Sequence, residues 1–357
     1  SSHLCLAGLF GIILRQGRIP IAPLSWPRLR TPSARMRVFR TLRAVSLDSL
    51  DLAGVAKHIS SGNCRSVVMM TGAGVSNAWG ELYQSLRPEL ITATDEQFAM
   101  MAKSSSAIMR QDLFFSNPLP YLELRRPFIL GTQRQQWKAT LSHWFAKFLD
   151  EERILARVFA QNVDALGEQT GVSPERLCNV HGTMGEAACA GCGAEVDFES
   201  FCADIRTKIK DVYDIDADAP AESSHIHCSR CEQPTVKPRT VLFGGAMPPG
   251  FSSLAKHDLP KADLLVVLGT SLVAAPANKM VQMVPSRCPR LVVSPQKVGI
   301  DQGIEYGPLA TRDVFADGRS CDDTMVELMQ LLGWQAKIAS IKDRLPIETQ
   351  RLLVGIE

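Results

Sequence analysis

Short apolar runs that end at glycine or at small polar residues recur along this chain. They lie at positions 67–70, 154–159, 177–180, 240–243, 264–268 and 291–293. Strands of a parallel sheet are buried on both faces, so they read as continuous apolar runs. Helical stretches separate most of these runs. This alternation predicts an α/β fold with a doubly wound parallel sheet, in which ligands bind at the carboxyl ends of the strands.

Four other stretches place apolar residues at helical intervals, at positions 50–59, 140–149, 325–332 and 338–354. The second is strongly amphipathic, with Leu141, Trp144 and Phe145 on one face. Positions 81–130 have a less regular pattern with methionine-rich and aromatic patches. We expect this segment to form a helical excursion that covers the turn after the first strand.

The first apolar run leads directly into Gly72-Ala73-Gly74. Glycines at the end of a strand let the backbone approach a phosphate closely, and amides at the start of a following helix can hold its charge. The spacing of Gly72, Gly74 and Gly80 differs from the usual G-x-G-x-x-G pattern, however. These residues alone leave a dinucleotide site and a plain strand-turn-helix equally open.

Two Cys-x-x-Cys pairs, separated by 35 residues, carry the strongest local signal. Thiolates are soft ligands, and four of them fill a tetrahedral zinc site completely, so the spacing predicts a structural zinc. The ligands are Cys189, Cys192, Cys228 and Cys231. His225 and His227 lie close enough to compete, but we interpret them as surface residues. The segment between the pairs has little hydrophobic periodicity, which predicts a small excursion held mainly by the metal.

The five cysteines that follow the leader and lie outside these pairs have no ligand spacing. We interpret most of them as small buried hydrophobic residues. They are Cys64, Cys178, Cys202, Cys288 and Cys321.

Charge is distributed unevenly along the 357 residues. Residues 1–47 contain eight arginines and no lysine or acidic residue, whereas the remainder has 31 basic and 37 acidic side chains. The acidic body argues against direct nucleic-acid binding, and no segment after the leader is apolar for long enough to span a bilayer. The leader composition favours a mitochondrial or plastid transit peptide. The alternatives for this segment are a secretory signal, a basic tail, or an upstream sequence that is not translated in the cell. The alternative locations of the protein are the nucleus and the cytoplasm.

Several separated motifs resemble those of sirtuins and occur in the same order. The resemblance covers residues from about 62 to 334 and includes the paired cysteines. The other motifs are Gly72-Ala73-Gly74-Val75-Ser76, Gln161-Asn162-Val163-Asp164, His181-Gly182, Lys237-Pro238, Phe243-Gly244 and Gly269-Thr270-Ser271. This resemblance implies a Rossmann-like domain with an inserted zinc-binding module. It also implies an NAD-dependent protein lysine deacylase that transfers the acyl group to ADP-ribose and releases nicotinamide.

The same resemblance assigns roles to individual residues. His181 would be the general base that activates a ribose hydroxyl, although by itself it reads as a turn histidine. The residues expected to bind the cofactor are Gly72, Ala73, Gly74, Gln161, Asn162, Asp164, Gly269, Thr270, Ser271, Ser294 and Cys321. Those expected to border the acyl-lysine substrate are Val163, Phe243 and Gly244. Without the resemblance, Asp164 could cap a helix and Phe243 could belong to the core.

These observations predict the domain organisation. Residues 1–47 form the leader, residues 185–235 the zinc-binding module and residues 336–357 a C-terminal helix. Residues 48–184 and 236–335 together form the Rossmann-like domain. The acyl group, the protein substrate and the oligomeric state are not readable from the sequence.

One departure from the sirtuin pattern concerns turnover. The family continues its glycine turn through a Gly-Ile-Pro-Asp-Phe-Arg loop, whereas here Gly80 is followed by Glu81-Leu82-Tyr83. Arg87 follows a changed spacing and does not replace the missing arginine. Loss of this cover over the cofactor predicts reduced deacylation, because the loop excludes water from the reacting carbon. There are two alternative functions. The protein could bind NAD or ADP-ribose and zinc without catalysing a reaction, or it could be a mono-ADP-ribosyltransferase.

Two smaller departures from the sirtuin pattern also predict weaker activity. Gly245 stands where sirtuins usually have a glutamate, which weakens the expected contacts with a bound peptide. Ser294 stands where they usually have an asparagine, and it is a shorter partner for a ribose hydroxyl.

Overall fold

The computed structural model describes residues 47–76, 90–94 and 107–355. The leader and the changed loop after Gly80 lie outside these ranges. Strands of the described residues form a six-stranded sheet and a three-stranded sheet. No helix within the described ranges is long and apolar enough to cross a membrane.

The six-stranded sheet is parallel throughout, with the order β3-β2-β1-β7-β8-β9. Its strands are β1 (Val67–Thr71), β2 (Leu155–Ala160), β3 (Leu177–Asn179), β7 (Leu264–Leu268), β8 (Arg290–Ser294) and β9 (Asp313–Asp317). The chain moves outward from β1 on one side and returns to build the other side. The reversal between β1 and β7 creates a crevice at their carboxyl ends, where ligands bind in such sheets.

The described helices, in chain order, are α1 (Leu52–Ser60), α2 (Gln111–Ser116), α3 (Leu119–Gln133), α4 (Leu141–Glu151), α5 (Phe198–Lys208), α6 (Phe251–Asp258), α7 (Cys321–Leu331), α8 (Gln335–Ile341) and α9 (Ile347–Leu352). Some of them cover both faces of this sheet, and α2, α3 and α5 pack with the second, smaller sheet. Val67 and Met69 of β1 join the core with α1, α4 and α7, whereas Val68 and Met70 join the core with α6. The doubly wound α/β architecture is therefore confirmed.

The second sheet is antiparallel and consists of β4 (Gly182–Cys189), β5 (Glu195–Val196) and β6 (Val236–Thr240). Helix α5 lies between the two cysteine pairs, and its buried residues Phe201 and Ile205 pack into one core with Leu122 and Ile129 of α3. Hence the prediction that the metal is the main support of this segment is wrong. The insert packs into an apolar core that it shares with α3.

The prediction of a strand at 240–243 is also wrong. The observed strand β6 ends at Thr240 and, among the described strands, pairs with β4 alone. Pro238 is tolerated in such an edge strand because proline has no amide hydrogen to donate to a further strand. Beyond it, Leu242 is buried in the core of the small sheet and Phe243 makes an isolated bridge with Arg110. The apolar residues at 241–243 therefore pack individually and do not form a sheet strand.

The C-terminal segment forms two short helices, α8 and α9, in place of the predicted single helix at 338–354. Pro346 precedes α9, and its ring is incompatible with the interior of a continuous helix. Three strands were not predicted at all, β4, β5 and β9.

Candidate active site and metal centre

The glycine turn after β1 packs directly against the loop after β7. The amide of Gly72 donates to the Leu268 carbonyl at 3.0 Å, and the amide of Gly74 donates to the Gly269 carbonyl at 2.8 Å. A Cβ atom at Gly72 would lie 2.6 Å from the Thr270 Cβ, and one at Gly74 would lie 2.8 Å from the Gly269 Cα. Only glycine allows this approach, which brings Gly72, Ala73 and Gly74 together with Gly269 and Thr270. A single 3-10 turn, Ala73–Val75, follows the strand.

The loop after β7 connects this turn to the next strand. Gly269 has a φ of +57°, in the left-handed region that favours glycine. The Thr270 hydroxyl donates to the Gln161 side-chain carbonyl at 3.2 Å, while Ser271 is exposed. These contacts place Gln161 beside the glycine turn, although 89 positions separate it from Gly72 in the sequence.

Two side-chain atoms in the segment after β2 are buried without a hydrogen-bond partner among the described residues. They are Gln161 Nε2 and Asn162 Oδ1. Asn162 Nδ2 donates to Asp164 Oδ2 at 3.3 Å, and Asp164 is 4% exposed. A buried polar group without a partner costs about 1–3 kcal/mol, so such atoms are rare in folded proteins. An unpaired donor and an unpaired acceptor fit a ligand that presents both, such as a carboxamide or a ribose hydroxyl.

Asp164 also accepts the Leu166 amide at 3.2 Å, so it closes a turn and does not cap an α-helix. A cavity of about 20 Å³ lies against Asn162, Asp164 and His143, enough for one water molecule.

His181 follows β3 and lies beside the same segment. Its Nδ1 is 2.8 Å from the Gln161 carbonyl oxygen. Because a carbonyl only accepts, Nδ1 carries the hydrogen, and Nε2 keeps a lone pair that can take a proton. Gly182 has a φ of +78°, and a Cβ atom there would lie 1.8 Å from the Arg239 carbonyl oxygen. The His-Gly pair therefore marks the point where the parallel sheet gives way to the small sheet.

Two further predicted cofactor residues lie at element ends. Ser294 ends β8 and is 5% exposed. Cys321 begins α7, the helix that packs against the Ala73–Val75 turn. Burial raises the pKa of the Cys321 thiol to about 12, so it is not a nucleophile at neutral pH.

The predicted substrate residues lie in the segments that follow β2 and β6. Phe243 is 63% exposed, so the alternative that it belongs to the core is wrong. Its backbone pairs with the segment before α2, and Gly244 follows with a φ of +86°. Val163 is half-buried against the core of the small sheet, and its carbonyl accepts the Met184 amide at 2.7 Å.

Two buried residues at the start of α4 were not predicted to belong to the site. The Thr140 hydroxyl donates to the Val75 carbonyl at 2.9 Å, and His143 lies beside it. Burial lowers the pKa of His143, and the nearby carboxylate of Asp164 opposes that shift. The sequence signal was the position of Thr140 directly before an amphipathic helix, which we interpreted only as a helix boundary.

The four paired cysteines form the predicted metal centre. Their sulfur atoms all lie within 4.8 Å of one another, with 3.6 Å between Cys189 and Cys231 and 3.7 Å between Cys192 and Cys228. A tetrahedron with Zn–S bonds of about 2.3 Å has edges of about 3.8 Å, so the four thiolates could hold zinc. His225 and His227 are exposed, which agrees with their interpretation as surface residues. The five other cysteines with a described position are buried, as predicted.

Comparisons with known proteins agree with this architecture. The model of the Sir2 family matches residues 72–276. The NAD-dependent protein deacetylase sirtuin-2 of Danio rerio is 31% identical over 84% of this chain and 76% of its own length. The NAD-dependent protein deacetylase hst2-2 of Emericella nidulans is 30% identical over 82% of this chain and 76% of its own. The NAD-dependent protein deacetylase sirtuin-3 of Mus musculus is 29% identical over 82% and 79%. This chain therefore belongs to the Sir2 family, as its motifs predict.

Proposed function

We propose that this protein is an NAD-dependent protein lysine deacylase that transfers the acyl group to ADP-ribose and releases nicotinamide. The relatives named above are NAD-dependent protein deacetylases. The observation that carries the proposal is the pair of unpartnered atoms, Gln161 Nε2 and Asn162 Oδ1, buried beside the His181 imidazole at the switch point of the sheet.

The residues present fit NAD. Gly72, Ala73 and Gly74 would lie against the phosphates, at the crevice between the carboxyl ends of β1 and β7. Gln161, Asn162 and Asp164 would bind the ribose and the carboxamide. The remaining proposed contacts are Gly269, Thr270, Ser271, Ser294 and Cys321. NAD, when bound, supplies a ribose carbon from which nicotinamide leaves and hydroxyls that receive the acyl group.

His181 would act as the general base at its Nε2 atom. The hydrogen bond from Nδ1–H to the Gln161 carbonyl fixes the tautomer and the ring orientation, so Nε2 faces away from that carbonyl with its lone pair free. Proton removal from a hydroxyl by a positioned imidazole contributes about 10²- to 10⁴-fold to a rate. Gln161 thus serves twice, with its backbone carbonyl holding the base and its side chain facing the cofactor.

The acyl-lysine of a protein or peptide would bind at the segments that follow β2 and β6, bordered by Val163, Phe243 and Gly244. The exposed ring of Phe243 provides apolar surface for an acyl-lysine stem. Four thiolates leave no open coordination position, so the zinc would be structural and not catalytic. We further propose the domain boundaries given above, and import of the chain into mitochondria or plastids through residues 1–47. Microscopy of a fluorescent protein carrying residues 1–47 tests that location.

A second candidate is a protein that binds NAD or ADP-ribose and zinc but has lost turnover. The observation that favours it is the direct sequence Gly80-Glu81-Leu82-Tyr83, which lacks the Ile-Pro-Asp-Phe-Arg stretch of the family. Reading the genomic DNA between the codons for Gly80 and Glu81 determines whether the gene encodes that stretch.

The decisive assay incubates the purified chain with NAD and an acetyl-lysine peptide, and measures free nicotinamide and deacetylated peptide together. Equal amounts of both products support the deacylase, and omission of the peptide gives the background. Calorimetric binding of NAD without either product supports the second candidate. Transfer of labelled ADP-ribose to protein without deacetylation would indicate an ADP-ribosyltransferase.

A further inference from the structure

We infer that Thr140 is a positioning residue for the proposed NAD site: its hydroxyl holds the carbonyl of Val75 and thereby fixes the glycine turn. This inference rests on the proposed function only for the identity of the ligand. The contact joins residues 65 positions apart, and both are buried, with Thr140 5% and Val75 3% exposed.

The turn is held from two sides. The loop after β7 holds its first half, through the bonds from the amides of Gly72 and Gly74. The amide of Val75 is used within the turn, since it donates to the Gly72 carbonyl at 3.1 Å. Thr140 provides the attachment on the α4 side, where its hydroxyl donates to the Val75 carbonyl at 2.9 Å. Without it, the second half of the turn keeps its local bonds but loses this hydrogen bond to the start of α4.

His143 leaves the hydroxyl proton of Thr140 available to Val75. Its Nδ1 accepts the Thr140 amide at 3.2 Å, so Nδ1 has a lone pair and carries no hydrogen. The same Nδ1 lies 3.0 Å from Thr140 Oγ1. Because the amide hydrogen already occupies this lone pair, the hydroxyl proton is directed to the Val75 carbonyl.

The start of α4 is itself fixed to the body of the protein. The amide and the hydroxyl of Ser142 both donate to Asp322 Oδ1 of α7, at 3.1 and 3.0 Å. Asp322 Oδ2 accepts the hydroxyl of Thr349 at 2.7 Å. Because Thr140 lies immediately before this anchored turn, its hydroxyl has a fixed position from which to hold Val75.

The test compares Thr140→Val, which keeps the shape of the side chain and removes the hydroxyl, with Thr140→Ser, which keeps the hydroxyl. Calorimetry of the full chain with NAD and with ADP-ribose gives the dissociation constants. We expect a roughly five- to tenfold weaker affinity in Thr140→Val, the size of one lost hydrogen bond, and an affinity within about twofold of the original in Thr140→Ser.

Thr170→Val is the matched control. It removes another buried hydroxyl, which donates to the Gly167 carbonyl at 2.8 Å and not to the glycine turn. Its affinity for NAD should equal that of the unmodified chain, even if its melting temperature falls by as much as that of Thr140→Val.

Amide hydrogen exchange without ligand separates this inference from the proposed function. A peptide covering residues 68–76 should exchange faster in Thr140→Val and at the original rate in Thr140→Ser and Thr170→Val. Unchanged exchange in Thr140→Val overturns the inference whether or not NAD binds. Failure of the unmodified chain to bind NAD would overturn the proposed ligand. If NAD does bind, equal affinities of Thr140→Val and the unmodified chain also overturn the inference.

Discussion

The four paired cysteines of the small sheet and the polar residues at the carboxyl edge of the parallel sheet differ in one respect. The cysteines already lie next to one another, whereas two polar atoms at the sheet edge have no partner among the described residues. Four identical side chains bring their sulfur atoms within 4.8 Å of one another in the first region. In the second region, Gln161 Nε2 and Asn162 Oδ1 remain without a partner among the described residues. The four sulfur atoms already lie close enough together to hold zinc, whereas the sheet edge contains groups whose partners a ligand would provide.

This difference follows from how each region is assembled. The cysteines lie within 43 consecutive residues, and each pair is held by its own tight turn. The sheet edge combines segments from residue 72 to residue 294 and uses backbone amides, a backbone-held imidazole and amide side chains. We therefore expect metal loss to unfold a local unit, and changes at the sheet edge to alter ligand binding and turnover while the fold persists.

Removal of one thiolate should have the largest effect. Cys231→Ser leaves three ligands, and structural zinc in small modules is worth about 10 kcal/mol or more of coupled folding free energy. Because α5 and α3 share an apolar core, we expect local unfolding around the cysteines and not loss of the whole module. Zinc content by mass spectrometry should fall from about one per chain, and proteolysis within residues 185–235 should accelerate.

Cys64→Ser is the control for that experiment, since Cys64 is buried near the parallel sheet and is not a ligand. It should retain zinc despite lower stability. A Cys231→Ser protein with full zinc content and the original protease resistance would contradict the four-thiolate site. The same variant should keep most of its NAD affinity, which tests whether the two regions are independent.

Local patterns predicted much of both regions. Continuous apolar runs identified β1, β2, β7 and β8 because these strands are buried on both faces. Cysteine spacing identified the metal ligands because each pair closes within one turn. The glycine spacing became informative only with the other motifs, since its physical cause is the approach of the β7 loop, which is distant in sequence.

The remaining features depend on tertiary packing. Helix α5 was missed because its buried face is short and packs against α3 of the other part of the chain. The run at 241–243 has the composition of a strand, yet the ladder with β4 ends at Thr240 and Phe243 makes an isolated bridge with Arg110. Thr140 was missed because a threonine before a helix is common, and only the folded chain reveals that its hydroxyl reaches Val75.

Replacement of the proposed base should affect turnover and leave the metal centre unchanged. His181→Asn keeps a side-chain N–H that can donate to the Gln161 carbonyl, but it has no basic nitrogen. We expect acyl transfer to fall by about 10²- to 10⁴-fold, with zinc content and NAD affinity close to the original values. Quantification of the acylated ADP-ribose product measures this effect.

His257→Asn controls for the loss of a histidine, since the His257 side chain is 68% exposed on α6. Its product formation should match that of the unmodified chain. Full acyl transfer by His181→Asn would contradict the proposed role of the imidazole.

The smallest expected effect is the change of folding stability with pH. Burial lowers the pKa of His143 from 6.5, while the carboxylates of Asp164 and Asp322 oppose the shift. The folded state therefore keeps His143 neutral while the unfolded chain takes up a proton below pH 6.5. Folding stability should consequently fall as the pH decreases through that value, by at most about 1.4 kcal/mol per pH unit from this group. Urea unfolding at pH 7.0 and 6.0, followed through the parallel sheet, measures this dependence.

His143→Gln should reduce the loss of stability between these two pH values, because glutamine does not titrate. His225→Gln, at an exposed position outside the parallel sheet, should keep the original dependence. Thiolate ligands also take up protons on acidification, so zinc content must be equal in all samples. An identical pH dependence in His143→Gln and the unmodified chain would show that His143 does not cause the effect. That outcome would contradict the expectation that this buried histidine beside the sheet edge carries the response to mild acid.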